Sequence, residues 1–221
     1  MIRDIPSRII NILSNPQITN SPHWEDDEGL AHVSMANDCA RQIYYKIKYP
    51  KFWPTVPILA GMLVDIWIKA AITQIEGYET NVFVDFRPEY PVIGEADIVS
   101  AQEVNDLKTT SEKSLDYKRT EGASKYHIEQ VNLYAYGLKR DWCSITYISR
   151  DYFRIWSYSW ATDPEMAIKS LNRLKALHSL TVENGMLPET ITGEGKKLVP
   201  HEKLWECRFC NYTYKCMRKE K

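Results

Sequence analysis

The chain has 221 residues, of which 44% are hydrophobic and 26% are charged, and its formal net charge is −1 at pH 7. This composition is typical of a globular protein with a buried core, most simply arranged as one domain. The near-zero net charge excludes a general electrostatic attraction to polyanions, so contacts with phosphate groups would depend on local basic clusters.

The N-terminal part of the chain is predicted to be largely helical. A short helix over residues 2–14 is followed by a polar loop over 17–33, a helix in the segment VSMANDCARQIYYKIKY and a more buried helix over 58–77. Asp65 and Lys69 interrupt the most apolar stretch, which is therefore not expected to span a membrane. Because the N-terminus has no secretory signal pattern, we expect a cytoplasmic protein of a prokaryotic cell or a virus-infected host cell.

The middle of the chain changes to a strand-like period. Strands are predicted near residues 80–86, 91–99 and 103–109, followed by a helix over 123–139 and a hairpin of strands 142–149 and 153–160. A capping box with proline at the first helical position, Thr162–Glu165, predicts a long helix that ends near Asn184. A loop follows over 186–203. The order of the elements predicts an α/β fold with a mixed central sheet flanked by helices.

Two acids and a lysine lie in the second and third predicted strands. Asp106 and Lys108 are two residues apart, so their side chains project from the same face, and Asp97 on the neighbouring strand can reach Asp106. Two close carboxylates repel each other unless a cation lies between them, and Mg²⁺ or Mn²⁺ prefers oxygen ligands. We therefore predict a metal site that hydrolyses phosphodiesters, with Lys108 stabilising negative charge. The spacing alone is equally compatible with an Asp–Lys ion pair on a solvated face.

Three further polar side chains are candidates for the same site. Gln130 and Tyr134 are four residues apart and share one helix face, where ordinary helix packing is the simpler alternative. Asp65 lies in the apolar segment GMLVDIW, where a carboxylate is unfavourable without a partner or an ion, unless it reaches the surface. We therefore treat Asp65 as a possible metal ligand.

Two clusters of basic residues are candidates for phosphate contacts, although such a cluster is more often an ordinary solvated face. They comprise Lys108, Lys113, Lys118, Arg119 and Lys125 after the predicted hairpin, and Arg208, Lys215, Arg218, Lys219 and Lys221 at the end of the chain.

Four of the five cysteines are candidates for a metal centre. Cys207, Cys210 and Cys216 have the spacing C-x2-C-x5-C, and Cys39 lies far away in sequence. Four thiolates suit either Zn²⁺ or an iron–sulfur cluster, and the spacing does not separate the two, with His201 as an alternative ligand. Cys143, in an apolar strand, is predicted to be a buried core residue.

The motifs together resemble a known nuclease superfamily. Gly94-x-x-Asp97, Asp106-x-Lys108 and Gln130-x-x-x-Tyr134, in this order, resemble the PD-(D/E)XK nucleases of the RecB type. One cysteine before the nuclease core and three after it resemble the iron–sulfur branch of that superfamily. This branch includes the CRISPR-associated exonucleases of the fourth Cas family, AddB-type nuclease domains and phage-encoded relatives. The resemblance extends from about residue 34 to 217.

The resemblance implies a restriction-endonuclease-like fold in which one nuclease domain occupies residues 1–221. Its parts would be an N-terminal helical part (1–57), a PD-(D/E)XK core (58–185) and a C-terminal tail (186–221) that a cluster joins to the N-terminal part.

The resemblance also implies roles for individual residues. Asp97, Asp106 and the Leu107 carbonyl would bind Mg²⁺ or Mn²⁺, Lys108 would be the catalytic lysine, and Gln130 and Tyr134 would complete the site. Cys39, Cys207, Cys210 and Cys216 would ligate a [4Fe-4S] cluster. Relatives usually carry a metal-binding histidine four residues after a helix glycine. Here that position, counted from Gly61, is Asp65. If Asp65 is not a ligand, His32 or another group would have to replace it.

The implied function is a metal-dependent DNA exonuclease that acts on single-stranded ends, with 5′→3′ polarity in many relatives. Its setting would be CRISPR spacer acquisition beside the Cas1–Cas2 integrase proteins, or phage recombination, with a helicase as a further partner and a homo-oligomer possible. Two alternatives remain open: a cluster-stabilised DNA-binding module with weak or no catalysis, and a zinc-containing scaffold.

Overall fold

The computed structural model describes residues 29–49, 56–186, 207 and 210–217. The helix predicted over residues 2–14, most of the loop predicted over 186–203 and His201 lie outside the described residues.

Six helices are present in the described part of the chain. They are α1 (Ala40–Lys48), α2 (Val56–Ile72), α3 (Glu112–Glu121), α4 (Lys125–Gly137), α5 (Pro164–His178) and α6 (Thr213–Met217). A 3₁₀ turn covers Val33–Met35, and α5 continues into a π-helical turn over Ser179–Glu183. The Asp163 side chain caps α5 by accepting a hydrogen bond from the Met166 N–H at 3.0 Å, with Pro164 in the first turn.

A mixed sheet of six strands forms the centre of the molecule. The strands are β1 (Ala31–His32), β2 (Glu79–Asp85), β3 (Val92–Val99), β4 (Glu103–Thr110), β5 (Trp142–Ser149) and β6 (Ile155–Ala161). Their order is β1-β3-β4-β5-β6, with β2 paired to β3, and the β1–β3 and β4–β5 pairs are parallel. The predicted mixed sheet with flanking helices is therefore confirmed.

The sheet opens between β3 and β4. These antiparallel strands pair only next to their turn, at Ile98–Asn105 and Val99–Val104. Ile93, near the start of β3, pairs with Asp85 of β2 on one side of the strand. His32 of β1 also pairs with Ile93, so β1 lies on the other side, which faces β4. The two central strands therefore diverge and leave a fork between them.

Helices cover both faces of the sheet beside this fork. Gly61 of α2 lies against Thr109, while His127 of α4 contacts Tyr147, the register partner of Lys108. Thr109 and Lys108 are neighbours on one strand and project to opposite faces, so α2 and α4 lie on opposite sides of the sheet. The main core forms between the sheet and the α4–α5 layer, and it includes the predicted core residue Cys143.

The helix predicted through VSMANDCARQIYYKIKY is wrong in its first half. The structure has β1, a 3₁₀ turn and then α1, which begins only at Ala40. The guanidinium group of Arg173 donates hydrogen bonds to the carbonyl oxygens of Ala36 and Asp38. These carbonyls are satisfied by a distant side chain, so the segment does not need a helical hydrogen-bond ladder.

Two other predictions for the helices are corrected. Helix α2 ends at Ile72 rather than near Gly77, and its outer surface is not buried, since 67% of Trp67 is exposed. Helix α3 was not predicted at all; Ser111 caps it by accepting a hydrogen bond from the Ser114 N–H at 3.3 Å. Among the described helices, none combines the length and apolar character required for a membrane span.

Candidate active site

Asp97 extends its carboxylate into the fork between β3 and β4. Its Oδ2 accepts a hydrogen bond from the Leu107 N–H at 2.8 Å, and its Oδ1 accepts one from Lys69 Nζ at 2.6 Å. Burial raises the pKa of Asp97, but the ammonium groups of Lys69 and Lys108 outweigh burial and hold the pKa below its usual value. Asp97 is therefore ionised and fixed on both oxygens.

Asp106 and Lys108 form a second ion pair on β4. Asp106 is only 1% exposed, and its Oδ2 lies 2.5 Å from Lys108 Nζ. Burial raises the pKa of Asp106 to about 7; Lys108 opposes this effect and the nearby Asp97 charge adds to it. Burial lowers the pKa of Lys108, but the Asp106 and Asp97 charges outweigh it, so Lys108 stays charged. Lys108 is therefore the charged partner of Asp106 Oδ2.

Helix α2 brings Asp65 and Lys69 to the same place. Lys69 Nζ lies 2.9 Å from Asp65 Oδ2 as well as 2.6 Å from Asp97 Oδ1. Burial and the Asp97 charge raise the pKa of Asp65, against the lowering effect of Lys69. The predicted position of Asp65 beside Asp97 is therefore observed, but a lysine lies between the two carboxylates.

Gln130 and Tyr134 meet on α4, where Gln130 Nε2 donates to the Tyr134 hydroxyl at 3.2 Å. Burial, followed by the charge of Asp106, raises the pKa of Tyr134, so it remains a neutral phenol. Its ring also lies against Gly94 of β3, where an added Cβ would be only 2.7 Å from Tyr134 Cε1. Tyr134 therefore packs beneath the carboxylates and fixes the α4 layer to β3.

A cleft of about 390 Å³ opens at this fork. Its polar lining comes from Asp65, Asp97 and Lys108, and Leu107 and Thr109 of β4 complete that side. Apolar residues of α2 and Ile148 line the remainder. A cleft of this size is in the range of small-ligand sites, so it has room for part of a nucleotide.

The side chains of the cleft fit a divalent cation in their chemistry but not in their present arrangement. Within the described residues, no group of three or more His, Cys, Asp or Glu side chains is arranged to hold a metal ion. The donor chemistry nevertheless fits Mg²⁺ or Mn²⁺, because the carboxylates of Asp65 and Asp97 line the cleft and surround a cation position that Lys69 fills. His32 lies in β1 and is not part of the cleft lining.

The cysteine-rich tail packs against α1. The Tyr212 ring stacks on Tyr45 with 5.6 Å between centroids, and the Tyr212 hydroxyl donates to the Tyr49 carbonyl at 3.1 Å. Arg41 Nη1 lies 3.8 Å from Cys216 Sγ, and the exposed Cys39 caps α1 two residues before Arg41. The tail and the Cys39 region are thus neighbours, as the cluster prediction requires, although their thiols are not arranged as a metal site.

Sequence analysis missed two features of the site. Lys69 was considered only as an interruption of an apolar stretch, although its spacing of four residues from Asp65 on one helix was a usable signal. His127 Nδ1 and the Tyr147 hydroxyl share a hydrogen bond of 2.8 Å, and Tyr147 is the register partner of Lys108. No local pattern predicts that contact, because its two residues come from different elements.

Comparison with known proteins identifies the fold. The sequence matches no family model and no curated protein. Among solved structures, SSO0001 has 17% identity and a TM-score of 0.61, with 98% of each chain covered. LHK-Exo in complex with dAMP has 12% identity and a TM-score of 0.57, covering 75% of this chain and 98% of LHK-Exo. A second structure of LHK-Exo, an alkaline exonuclease from Laribacter hongkongensis, has 12% identity and a TM-score of 0.55, with 73% and 96% covered. At these identities the similarity shows the fold alone: the chain shares the fold of an alkaline exonuclease.

Proposed function

We propose that the chain is a divalent-metal-dependent DNA exonuclease that hydrolyses phosphodiester bonds. The observation that carries this proposal is that Asp97 and Lys108 line an open cleft in the fork of the sheet, with the buried Asp106 paired to Lys108 behind it. The shared fold adds support, because LHK-Exo is described as an exonuclease and its structure contains a nucleotide, dAMP.

The proposed chemistry divides between a cation and the side chains of the cleft. A divalent ion held by Asp97 and Asp106, with Asp65 and the Leu107 carbonyl as further ligands, would polarise a phosphoryl oxygen and make a bound water more acidic. Lys108 keeps its ammonium group at the cleft wall, where it stabilises the negative charge that develops on the phosphate.

Gln130 and Tyr134 act from the α4 side. Their mutual hydrogen bond fixes the amide of Gln130, which then orients the attacking water or a group bound to the cation. Tyr134, which is buried and neutral, keeps the floor of the cleft rigid beneath Asp106.

We further propose that Cys39, Cys207, Cys210 and Cys216 ligate a [4Fe-4S] cluster with a structural role. The contacts of Tyr212 with α1 support this proposal, since they hold the cysteine-rich tail beside the Cys39 region. Four thiolates would then close a long loop of the chain and stabilise the fold. A brown protein with the visible absorption of an iron–sulfur cluster after anaerobic purification is expected; a colourless, zinc-containing protein would contradict the cluster.

Single-stranded ends are the proposed substrate, in spacer acquisition beside Cas1–Cas2 integrase proteins or in phage recombination with a helicase. The experiment compares linear single-stranded, linear duplex and circular single-stranded DNA, labelled at either end, with Mn²⁺, Mg²⁺ or EDTA. We expect metal-dependent shortening of the linear single strands. The circular single-stranded DNA is the matched control, because it has no ends. Cleavage of the circle would contradict exonuclease action, and intact DNA in every metal would contradict the nuclease proposal.

A second candidate, a DNA-binding module with weak or no catalysis, is favoured by one observation. Lys69 and Lys108 already pair with the carboxylates that a cation would need. This candidate predicts binding of labelled DNA with no metal-dependent shortening in the same experiment.

A further inference from the structure

We infer that Lys69 is a built-in cation of the cleft: its ammonium group holds the position between Asp65 and Asp97 that a divalent ion would otherwise take. It thereby limits the cleft to one divalent ion and weakens the binding of that ion. This inference rests on the proposed function in one respect, that the cleft binds a divalent cation.

The first support is the geometry of Lys69. Its Nζ lies 2.6 Å from Asp97 Oδ1 and 2.9 Å from Asp65 Oδ2, so one ammonium group bridges two carboxylates from different elements. Lys69 is only 8% exposed, which is rare for lysine unless it is paired. An ammonium between two carboxylate groups satisfies the same electrostatic demand as a metal ion.

The second support is that Asp97 has no oxygen left without a hydrogen bond. Its Oδ2 receives the Leu107 N–H at 2.8 Å, and its Oδ1 receives Lys69. A divalent ion that binds Asp97 must therefore share an oxygen with one of these donors. The N–H of Leu107 is fixed in β4, whereas the Lys69 side chain can move, so Lys69 is the group that yields.

The third support is the charge balance of the cleft. Asp65 and Asp97 contribute two carboxylates at the cleft, with the buried Asp106 behind them, and Lys69 and Lys108 contribute two ammonium groups. One divalent ion added to these groups leaves a small positive net charge. A second ion would lie close to both the first ion and the Lys69 ammonium group, and the three positive charges would repel one another. Asp106 already faces the Lys108 ammonium group, so an ion that binds Asp106 has to share that carboxylate with Lys108.

The test measures Mn²⁺ binding by titration calorimetry and by electron paramagnetic resonance, without DNA. Removing the charge in Lys69→Met is expected to tighten Mn²⁺ binding roughly 10- to 100-fold, because it removes the repulsion between two like charges a few ångströms apart. It is also expected to raise the number of bound ions from one to two. Lys69→Arg keeps the cation and is expected to bind like the wild type. Arg87→Met, which removes the cation from the exposed Asp85–Arg87 pair, is the matched control for loss of a charge.

Folding of the variants is followed in the same samples. Lys69→Met leaves two carboxylates without their partner, so its melting temperature in EDTA is expected to fall and to recover with Mn²⁺. If Lys69→Met does not fold in EDTA, Lys69→Gln keeps a hydrogen-bond donor and removes only the charge, and the same gain in affinity is expected. Affinity that is unchanged or weaker in both variants would overturn the role of Lys69.

The two proposals fail in different ways. A wild type that shortens DNA, with no gain in Mn²⁺ affinity in the Lys69 variants, overturns the Lys69 inference and keeps the nuclease. A wild type that neither binds Mn²⁺ nor shortens DNA, beside a Lys69→Met variant that binds Mn²⁺, overturns the nuclease and keeps the inference. Absence of binding in all variants overturns both.

Discussion

The side chain of Asp97 takes the place of a backbone acceptor in the sheet: its Oδ2 accepts the Leu107 N–H at 2.8 Å across the fork between β3 and β4. The backbone ladder of these strands ends at Ile98–Asn105, so β4 meets the Asp97 carboxylate just beyond that point. The same carboxylate binds Lys69 of α2. One side chain therefore joins three elements around the candidate active site.

Removal of the Asp97 carboxylate is predicted to destabilise the protein. Asp97→Ala leaves the Leu107 N–H without its acceptor and Lys69 with half of its counter-charge, so the free energy of unfolding should fall by about 3 kcal/mol. Asp85→Ala, which breaks the exposed pair with Arg87, is the control and should change it by less than about 1 kcal/mol. Denaturant unfolding measures both values. Equally small losses of unfolding free energy in the two variants would show that Asp97 does not hold β3, β4 and α2 together.

Gly94→Ala is predicted to disturb the packing beneath the site. A Cβ there would lie 2.7 Å from Tyr134 Cε1 and 2.9 Å from Val33 Cβ, and both neighbours are buried. Overpacking of this kind should lower stability by about 1–3 kcal/mol. Gly61→Ala, whose Cβ meets the rotatable Thr109 hydroxyl, should have the smaller effect on the melting temperature. The reverse order would contradict the described packing of α4 on β3.

The tail is predicted to depend on Tyr212 rather than on its neighbour Tyr214. Tyr212, in the turn before α6, is 6% exposed and stacks on Tyr45, whereas Tyr214 in α6 is 68% exposed. Tyr212→Ala should release the tail and speed proteolytic removal of the C-terminus, because a buried aromatic contact is lost; if the proposed cluster is present, its iron content should fall as well. Tyr214→Ala should match the wild type in both measurements. Equal behaviour of the two variants would contradict the docking of the tail through Tyr212.

His127 is predicted to make stability depend on pH. Burial, together with Lys108 and Lys118, lowers the pKa of His127 to about 3, from about 6.5 in an unfolded chain. Between these values the unfolded chain binds a proton that the folded protein does not, so the contribution of His127 to stability falls as the pH drops below about 6.5. Relative to pH 7, this contribution at pH 5 should be a loss of about 1–2 kcal/mol. Asp106, whose pKa is raised to about 7, acts in the opposite direction over the same range, so the loss is measured as the difference between the wild type and His127→Gln. The same dependence of stability on pH in the wild type and in His127→Gln would assign that dependence to other groups.

The sequence was most informative where a strong pattern and the fold agree. The alternating runs before Asp97 and Asp106 predicted β3 and β4 within a residue or two, because strand faces repeat every second residue. This alternation places Asp106 and Lys108 on one face of β4, and in the structure Asp97 lies next to them.

Long-range contacts limited the rest. Strand β1 has only two residues and carries no period, and the turn before α1 depends on Arg173, more than 130 positions away. The spacing of Lys69 from Asp65 is visible in the sequence, but the contact of Lys69 with Asp97 joins two elements and is not. Local propensity does not contain such information.

The most direct measurement compares the rate of metal-dependent shortening of labelled single-stranded DNA by the wild type, Lys108→Met and Lys175→Met. Lys175 is an exposed lysine of α5 beside Tyr90, so its variant controls for loss of one positive charge. We predict that Lys108→Met loses roughly 100-fold or more in rate while it still binds Mn²⁺, and that Lys175→Met keeps the wild-type rate. A Lys108→Met variant as active as the wild type would contradict the assignment of the cleft as the site of phosphodiester hydrolysis.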